Sequence, residues 1–346
     1  MRKVLASILK KVLEWLDKRP SQQEDLEKLP IEESLAVVHE PLLPEVSEHP
    51  EKAIQKKKNS VLNYPKQPLR DVIDLMEFPF VALSKDRTNP IIYESTDKTK
   101  KVVISGHRGQ FIASIYDWDI ILIVAGRIQE ILNNESDIPS RKVTIPRHEL
   151  LKALCRRGAR KDQKSLEKSL DRLKSTMIST TVNNKDFRHR AGFGFIDSWG
   201  YLERKNDRET RIIHISLSDW LYELCCAQGA LLKPSIEYFD IKSGLKKFLY
   251  RTARKHAGED GWEFSLEKLY EKSGSEGILS KFKYKLKAAV QKNDIPDYSL
   301  KWIDKNEKIY IGFKKRPNIE ELDRIVEKYE GNNRDFLEFE EEGAAQ

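Results

Sequence analysis

The sequence predicts an α+β protein built from tandem winged-helix domains, each a helix-turn-helix followed by a β-hairpin wing. Three observations carry that expectation. Positive charge is regional: the 346-residue chain has a formal charge of only +7, yet residues 141–190 hold fifteen Lys or Arg against five acids, and residues 241–292 hold thirteen against six. In both regions the apolar spacing passes from a period of 3.6 to a period of 2, so helices give way to strands. The order helix, turn, helix, hairpin is therefore legible twice.

At the N-terminus Leu5, Ile8, Leu9, Val12, Leu13 and Leu16 recur at helical spacing, which predicts an amphipathic helix over 1–19. Residues 20–74 follow with seven prolines from Pro20 to Pro68 among many charges, the composition of a disordered linker. Such a separation favours a helix that docks in a partner's groove over one that packs on its own domain or lies on a membrane surface.

The first winged-helix domain is expected over 75–240. "KVVIS" at 101–105 reads as a strand, and "DWDIILIVAGRIQEILNN" at 117–134 as a largely buried helix with Asp117 or Asp119 as its N-cap. "RKVTI" at 141–145 is a short strand, and Pro146 opens the helix "PRHELLKAL", where its missing N–H is tolerated. Beyond the loop "CRRGARKD", the segment "DQKSLEKSLDRLKS" places Leu166, Leu170 and Leu173 inward, with Asp162 or Ser165 as caps. "TMISTTVN" and "GFGFIDSW" are then expected to pair as a hairpin around the basic tip "NKDFRHRA".

The second domain is expected over 241–316, with an acidic tail over 317–346. "GLKKFLYRTARKHAG" at 244–258 is a helix with Lys247, Arg251 and Arg254 on one stripe. "WEF" forms a short strand, "SLEKLYEKSG" a helix closed by Gly274, and "DYSLKWID" with "EKIYIGF" a hairpin around "DKNE". Between them lies "SEGILSKFKYKLKAAVQKND". At 100° per residue Leu279, Phe282, Leu286, Ala289 and Val290 gather on one side, and Ser280, Lys283, Tyr284, Lys287 and Gln291 on the other. The outward mixture can touch phosphates and base edges, although a lysine-rich helix face is also the ordinary form of a solvated one.

Regional cationic excess is the footprint of a polyanion partner, because neutralising phosphates releases counterions. The residues assigned to duplex DNA are Ser280, Lys281, Lys283, Tyr284, Lys287 and Gln291 on the quoted helix, with Lys287 facing guanine and Gln291 facing adenine. Phosphate contacts are assigned to Arg251 and Arg254 on the 244–258 helix and to Arg188 and Arg190 at the first hairpin tip; DNA contact is also expected of Lys255, of Arg156, Arg157, Arg160 and Lys161 in the first turn, and of Lys185.

Enzymatic chemistry is not expected. The chain lacks the G-x-x-x-x-G-K-[ST] phosphate loop, and its seven histidines lie too far apart for the paired ligands of a nicking enzyme. No catalytic residue, metal or cofactor is therefore assigned. His256 reads as a packing or phosphate-facing residue, and Cys225 and Cys226 as small apolar ones. Three cysteines without paired spacing fit a reducing cytoplasm, and no apolar run approaches the length of a membrane span.

Several segments resemble the replication initiator protein A family of plasmids, related in architecture to iteron-binding initiators. They are "FPFVALSKDRT", "IYDWDIIL", "RHELLKAL", "LEKSLDRLKSTMIST", "FIDSW", "SDWLYE", "LYRTARKHAG" and "FSLEKLYEKSGS", in that order between Phe78 and Phe313. The resemblance implies two winged-helix domains that bind short direct repeats, or iterons, at a plasmid origin. It also implies opening of adjacent A·T-rich DNA, recruitment of the host replicative helicase or its loader, and a self-dimer that restrains initiation and so controls copy number. A winged-helix transcriptional regulator on a palindromic operator would use the same motifs, but neither an effector pocket nor a dedicated dimerisation helix is legible in the chain.

Overall fold

The computed structural model describes residues 69–134, 139–156, 159–182, 193–204 and 207–317, with backbone alone for 203, 204 and 207–210. The expected N-terminal helix over 1–19, nearly all of the linker and nearly all of the acidic tail lie outside these residues. All of the described residues belong to one compact unit. No helix among them is long and apolar enough to cross a membrane.

The unit opens with β1 (Asp71–Val72) and α1 (Ile73–Glu77), then β2 (Ile91–Glu94), β3 (Lys101–Gly106) and α2 (Trp118–Asn134). Leu69, Asp71 and Val72 are buried, which corrects the expected linker: it cannot extend to 74, because β1 pairs with β8 (Leu231–Leu232) and carries part of the core. Next come β4 (Lys142–Pro146), α3 (Arg147–Ala153), α4 (Arg160–Ser175), β5 (Thr176–Thr180), β6 (Ile196–Arg204), β7 (Asp207–Leu217) and α5 (Asp219–Cys226). The chain then runs through α6 (Gly244–His256), β9 (Trp262–Ser265), α7 (Leu266–Ser273), α8 (Leu279–Lys292), β10 (Tyr298–Lys305) and β11 (Lys308–Lys315).

One topology appears twice. In the first half β4, α3, α4, β6 and β7 give a sheet ordered β4-β7-β6; in the second half β9, α7, α8, β10 and β11 give β10-β11-β9. In each, the strand before the helix pair joins the last strand of the hairpin. The β10–β11 hairpin forms around the expected turn, with Leu300 opposite Phe313 and Trp302 opposite Ile311, while Tyr298 stands opposite Lys315 and Ile309 opposite Asp304. Its two-residue turn places Asn306 at φ 49° and Glu307 at φ 64°, the double left-handed geometry that matches the twist of paired strands.

The first hairpin differs from the expectation. β5 pairs along its length with β3, not with the "GFGFIDSW" strand, leaving only an isolated bridge between Ile178 and Phe193. The actual hairpin is β6–β7, and its turn, like the segment "NKDFRHRA", lies outside the described residues. Period-2 patterning marks β5 as a strand without naming its partner. The alternation of β5 buries Thr176, Ile178 and Thr180 on one face of the sheet it shares with β3, a strand more than about seventy residues earlier in sequence.

The helix caps also depart from the reading. Ala159, not Asp162 or Ser165, stands at the N-cap of α4, and Asp162 three residues on accepts the Ala159 N–H at 3.2 Å. Asp119 is not a cap but the buried partner of Lys247; Asp117 does stand at the expected position just before Trp118, where its carboxylate accepts the Ser114 N–H and two bonds from Arg172. By contrast Gly274 ends α7 in the left-handed conformation as expected, at φ 56°. There the backbone also meets the first half, since Arg87 donates to the Gly274 carbonyl.

A single apolar cluster runs through both halves. It takes Ile120–Ala125 from α2, Leu166, Leu170 and Leu173 from α4, Phe248 and Leu249 from α6, and Phe282 and Leu286 from α8. Burying each such Leu or Phe contributes roughly 1.5–3 kcal/mol, so the pattern of apolar spacing is also the pattern of stabilisation.

Candidate nucleic-acid interface

Two exposed basic helix faces result from this packing. α8 turns Phe282, Leu286, Ala289 and Val290 inward, and its other face follows from helical geometry: Ser280, Lys281, Lys283, Tyr284, Lys287 and Gln291 are all exposed. Tyr284 is 79% exposed, the most open of the large apolar side chains. None of Lys281, Lys283, Lys285 and Lys287 has a carboxylate partner among the described residues. The helix ends at Asn293, left-handed at φ 44°, whose Oδ1 accepts the Leu300 N–H at 2.7 Å and so fixes the hairpin against the helix end.

The second face belongs to α4. With Leu166, Leu170 and Leu173 fully buried, Arg160, Lys161, Lys164 and Lys168 are left exposed along the outer side. They line a cleft of about 1110 Å³ together with Lys85, Asp86 and Thr88, with Gly109–Phe111, and with Asp117 and Asp171. Arg156 also lines it, half-buried, with Nη1 buried and without a hydrogen-bond partner among the described residues. Lys164 and Lys168 were not assigned from sequence, although their i, i+4 spacing opposite the leucine stripe was sufficient to find them.

The α6 stripe is a correction. Lys247 and Arg251 face the interior, where Lys247 Nζ lies 2.7 and 2.8 Å from the Asp119 carboxylate oxygens. Arg251 donates from Nε and Nη2 to Asp71 at 2.7 and 3.0 Å. Arg251 is 6% exposed, so it is no phosphate contact. Lys255 is likewise drawn in: its Nζ lies 2.9 Å from Glu77 Oε2, and burial pushes its amine down to about 8. Arg254 is half-buried and donates to the Lys233 carbonyl at 3.0 Å. His256 packs among Trp262 and Phe264, with Nε2 2.7 Å from Glu77 Oε2, in keeping with a packing role. Arg157, Lys185, Arg188 and Arg190 lie outside the described residues.

These ion pairs hold the halves together. Asp71, Glu77 and Asp119 come from the first half, and Arg251, Lys255, Lys272 and Lys247 answer them from the second. The loop at 85–90 serves both faces: Lys85 and Thr88 line the α4 cleft, while Arg87 and Asn89 bond to Gly274 and Glu276 just before α8.

Comparison with known proteins relates this chain to replication proteins. A chain of Wigglesworthia glossinidia brevipalpis named "Putative replication protein" is 32% identical over 236 residues, covering 67% of this chain and 84% of that one. In fold, the chain is similar to the crystal structure of domains 2 and 3 of RctB, with a TM-score of 0.50 at 12% identity, covering 70% of this chain and 98% of that one. The family model for replication initiator protein A matches residues 70–300. The chain belongs to that family, and it is a replication initiator of the plasmid type.

Proposed function

We propose that each repeat of the topology is a winged helix and that the chain binds short direct repeats of duplex DNA at a replication origin. It then promotes opening of the adjacent A·T-rich DNA and brings in the host replicative helicase or its loader. The observation that carries this reading is the outward face of α8, which is the second helix of its pair and presents Ser280, Lys283, Tyr284, Lys287 and Gln291 together to solvent. Hydroxyl, amide and amine groups on one exposed stripe suit base edges, and the flanking lysines suit phosphates. Self-association as a restraint on initiation belongs to the same reading, as does a reaction without cofactor or catalytic residue.

Footprinting on DNA flanking the coding region tests it. Tandem protections in one orientation are expected; a single palindromic protection would favour a transcriptional regulator. Affinity should also fall steeply with salt, with a log–log slope near about −7 for on the order of eight neutralised phosphates. A nearly salt-independent affinity would remove the electrostatic basis of the reading.

A further inference from the structure

The two basic helices differ in what stands near their charges. Asp86, Asp117 and Asp171 line the α4 cleft beside its lysines and arginines. α8 contributes no acid of its own, and Lys281, Lys283, Lys285 and Lys287 have no carboxylate partner among the described residues. The same helix exposes the Tyr284 ring. Four amines around an aromatic ring make a face that lacks both counter-charge and apolar cover.

The chain holds a segment of complementary composition, and the fold starts it on its way beside this face. Residues 317–346 carry ten acids against three bases, and the stretch "DFLEFEEE" at 335–342 sets five carboxylates among Phe336, Leu337 and Phe339. Arg316, the residue before this tail, is tied to the end of α8. Its backbone N–H donates to the Asp297 carbonyl at 2.7 Å, its Nε to the Tyr298 carbonyl at 2.8 Å, and its Nη2 to both the carbonyl and the Oδ1 of Asn293, the residue that ends the helix. Lys287 and Lys281 stand one to four turns back from Asn293, about 9 and 18 Å along the helix axis. The connection 317–334 between Arg316 and the acidic stretch can span up to about 60 Å, so every lysine of the face lies within its reach.

We propose that the segment 335–342 docks on the outward face of α8 in its own chain, its carboxylates on Lys281, Lys283, Lys285 and Lys287 and its phenylalanines against Tyr284, and that duplex DNA must displace it. Tethering makes a weak contact sufficient. A connection of this length holds the segment at an effective concentration on the order of 1 mM, so a contact with a Kd of about 0.1 mM would be roughly nine-tenths occupied and would weaken duplex binding about tenfold. The competition with DNA rests on the reading of α8 as the duplex-binding face; the docking itself does not.

The test uses the full-length protein. Carbodiimide joins a carboxylate to an amine only where the two touch, forming an amide with loss of water, and peptide mass spectrometry reads the pairs. Without DNA, crosslinks are expected between 335–342 and the α8 lysines; in a mixture of isotopically light and heavy protein they should stay within one chain, and saturating duplex from the footprinted region should abolish them. The full-length variant Asp335→Asn/Glu338→Gln/Glu340→Gln/Glu341→Gln/Glu342→Gln should bind that duplex about tenfold more tightly at low salt, by fluorescence anisotropy, with the gain shrinking as salt screens the tail in the parent. Crosslinks confined to α4 or other lysines, or none from 335–342, would overturn the proposal; a tighter-binding variant would then reflect net charge alone. Crosslinks formed only between light and heavy chains would overturn docking within one chain, and crosslinks undiminished by duplex would overturn the competition. A parent protein that binds no duplex would sink the origin-binding reading, while the DNA-free crosslinks would still decide the docking.

Discussion

Arg251→Ala separates the structural account of α6 from a surface one. In the folded chain the guanidinium donates to Asp71 at 2.7 and 3.0 Å and to the Leu75 carbonyl at 3.1 Å. Asp71 is 2% exposed and also accepts the Trp118 indole N–H at 2.9 Å. Truncation removes three charge-assisted bonds and strands a carboxylate with one neutral donor. Breaking a buried pair in this way costs about 3–5 kcal/mol, which at 1.4 kcal/mol per tenfold is roughly three decades in the folded ratio. Equilibrium urea denaturation followed by circular dichroism should register that loss. At temperatures where the variant stays folded, the salt dependence of DNA affinity should equal that of the parent. The double variant Asp71→Leu/Arg251→Met should recover much of the stability, because an apolar pair of similar volume avoids both desolvation penalties. A stability loss below about 1 kcal/mol, together with a salt slope smaller by about one, would refute the reasoning and return Arg251 to the phosphates.

Lys287→Ala and Gln291→Ala should each cost ~1–3 kcal/mol on the correct repeat and much less on random duplex, measured by competitive anisotropy. Gly274→Ala should lower the thermal midpoint, by an amount corresponding to about 1–3 kcal/mol: the position sits at φ 56°, and a new Cβ would lie 2.7 Å from Pro79 Cβ and 3.0 Å from Ile91 Cγ2. Leu170→Ala, at a position with no exposure, should cost about 2–5 kcal/mol in the same denaturation assay. Cys225 should resist iodoacetamide at neutral pH until the chain is unfolded, because burial pushes its thiol up to about 12; peptide mass spectrometry reads the label.

Local periodicity determined a large part of this protein. The two faces of α8, the inward leucines of α4, the two strands of the β10–β11 hairpin and the glycine end of α7 all follow from repeat distances of a few residues, which helix and strand geometry impose wherever the segment lies.

Only the tertiary structure decided which charges reach solvent. On α6 the stripe of Lys247, Arg251 and Arg254 has the spacing of an exposed basic face, yet its carboxylate partners for Lys247 and Arg251 stand 128 and 180 residues earlier in the chain. Helical spacing groups side chains but does not say whether the group faces water or a buried acid. The same gap misplaced β5, whose alternation was legible while its partner, β3, was not. It also hid the α4 cleft, whose lining includes loops at 85–88 and 109–111 that no spacing within α4 can specify. Sequence fixes the pattern within each element because neighbouring residues share one backbone geometry; the fate of a charge or a strand edge depends on what distant chain packs against it, and that is a property of the assembled core.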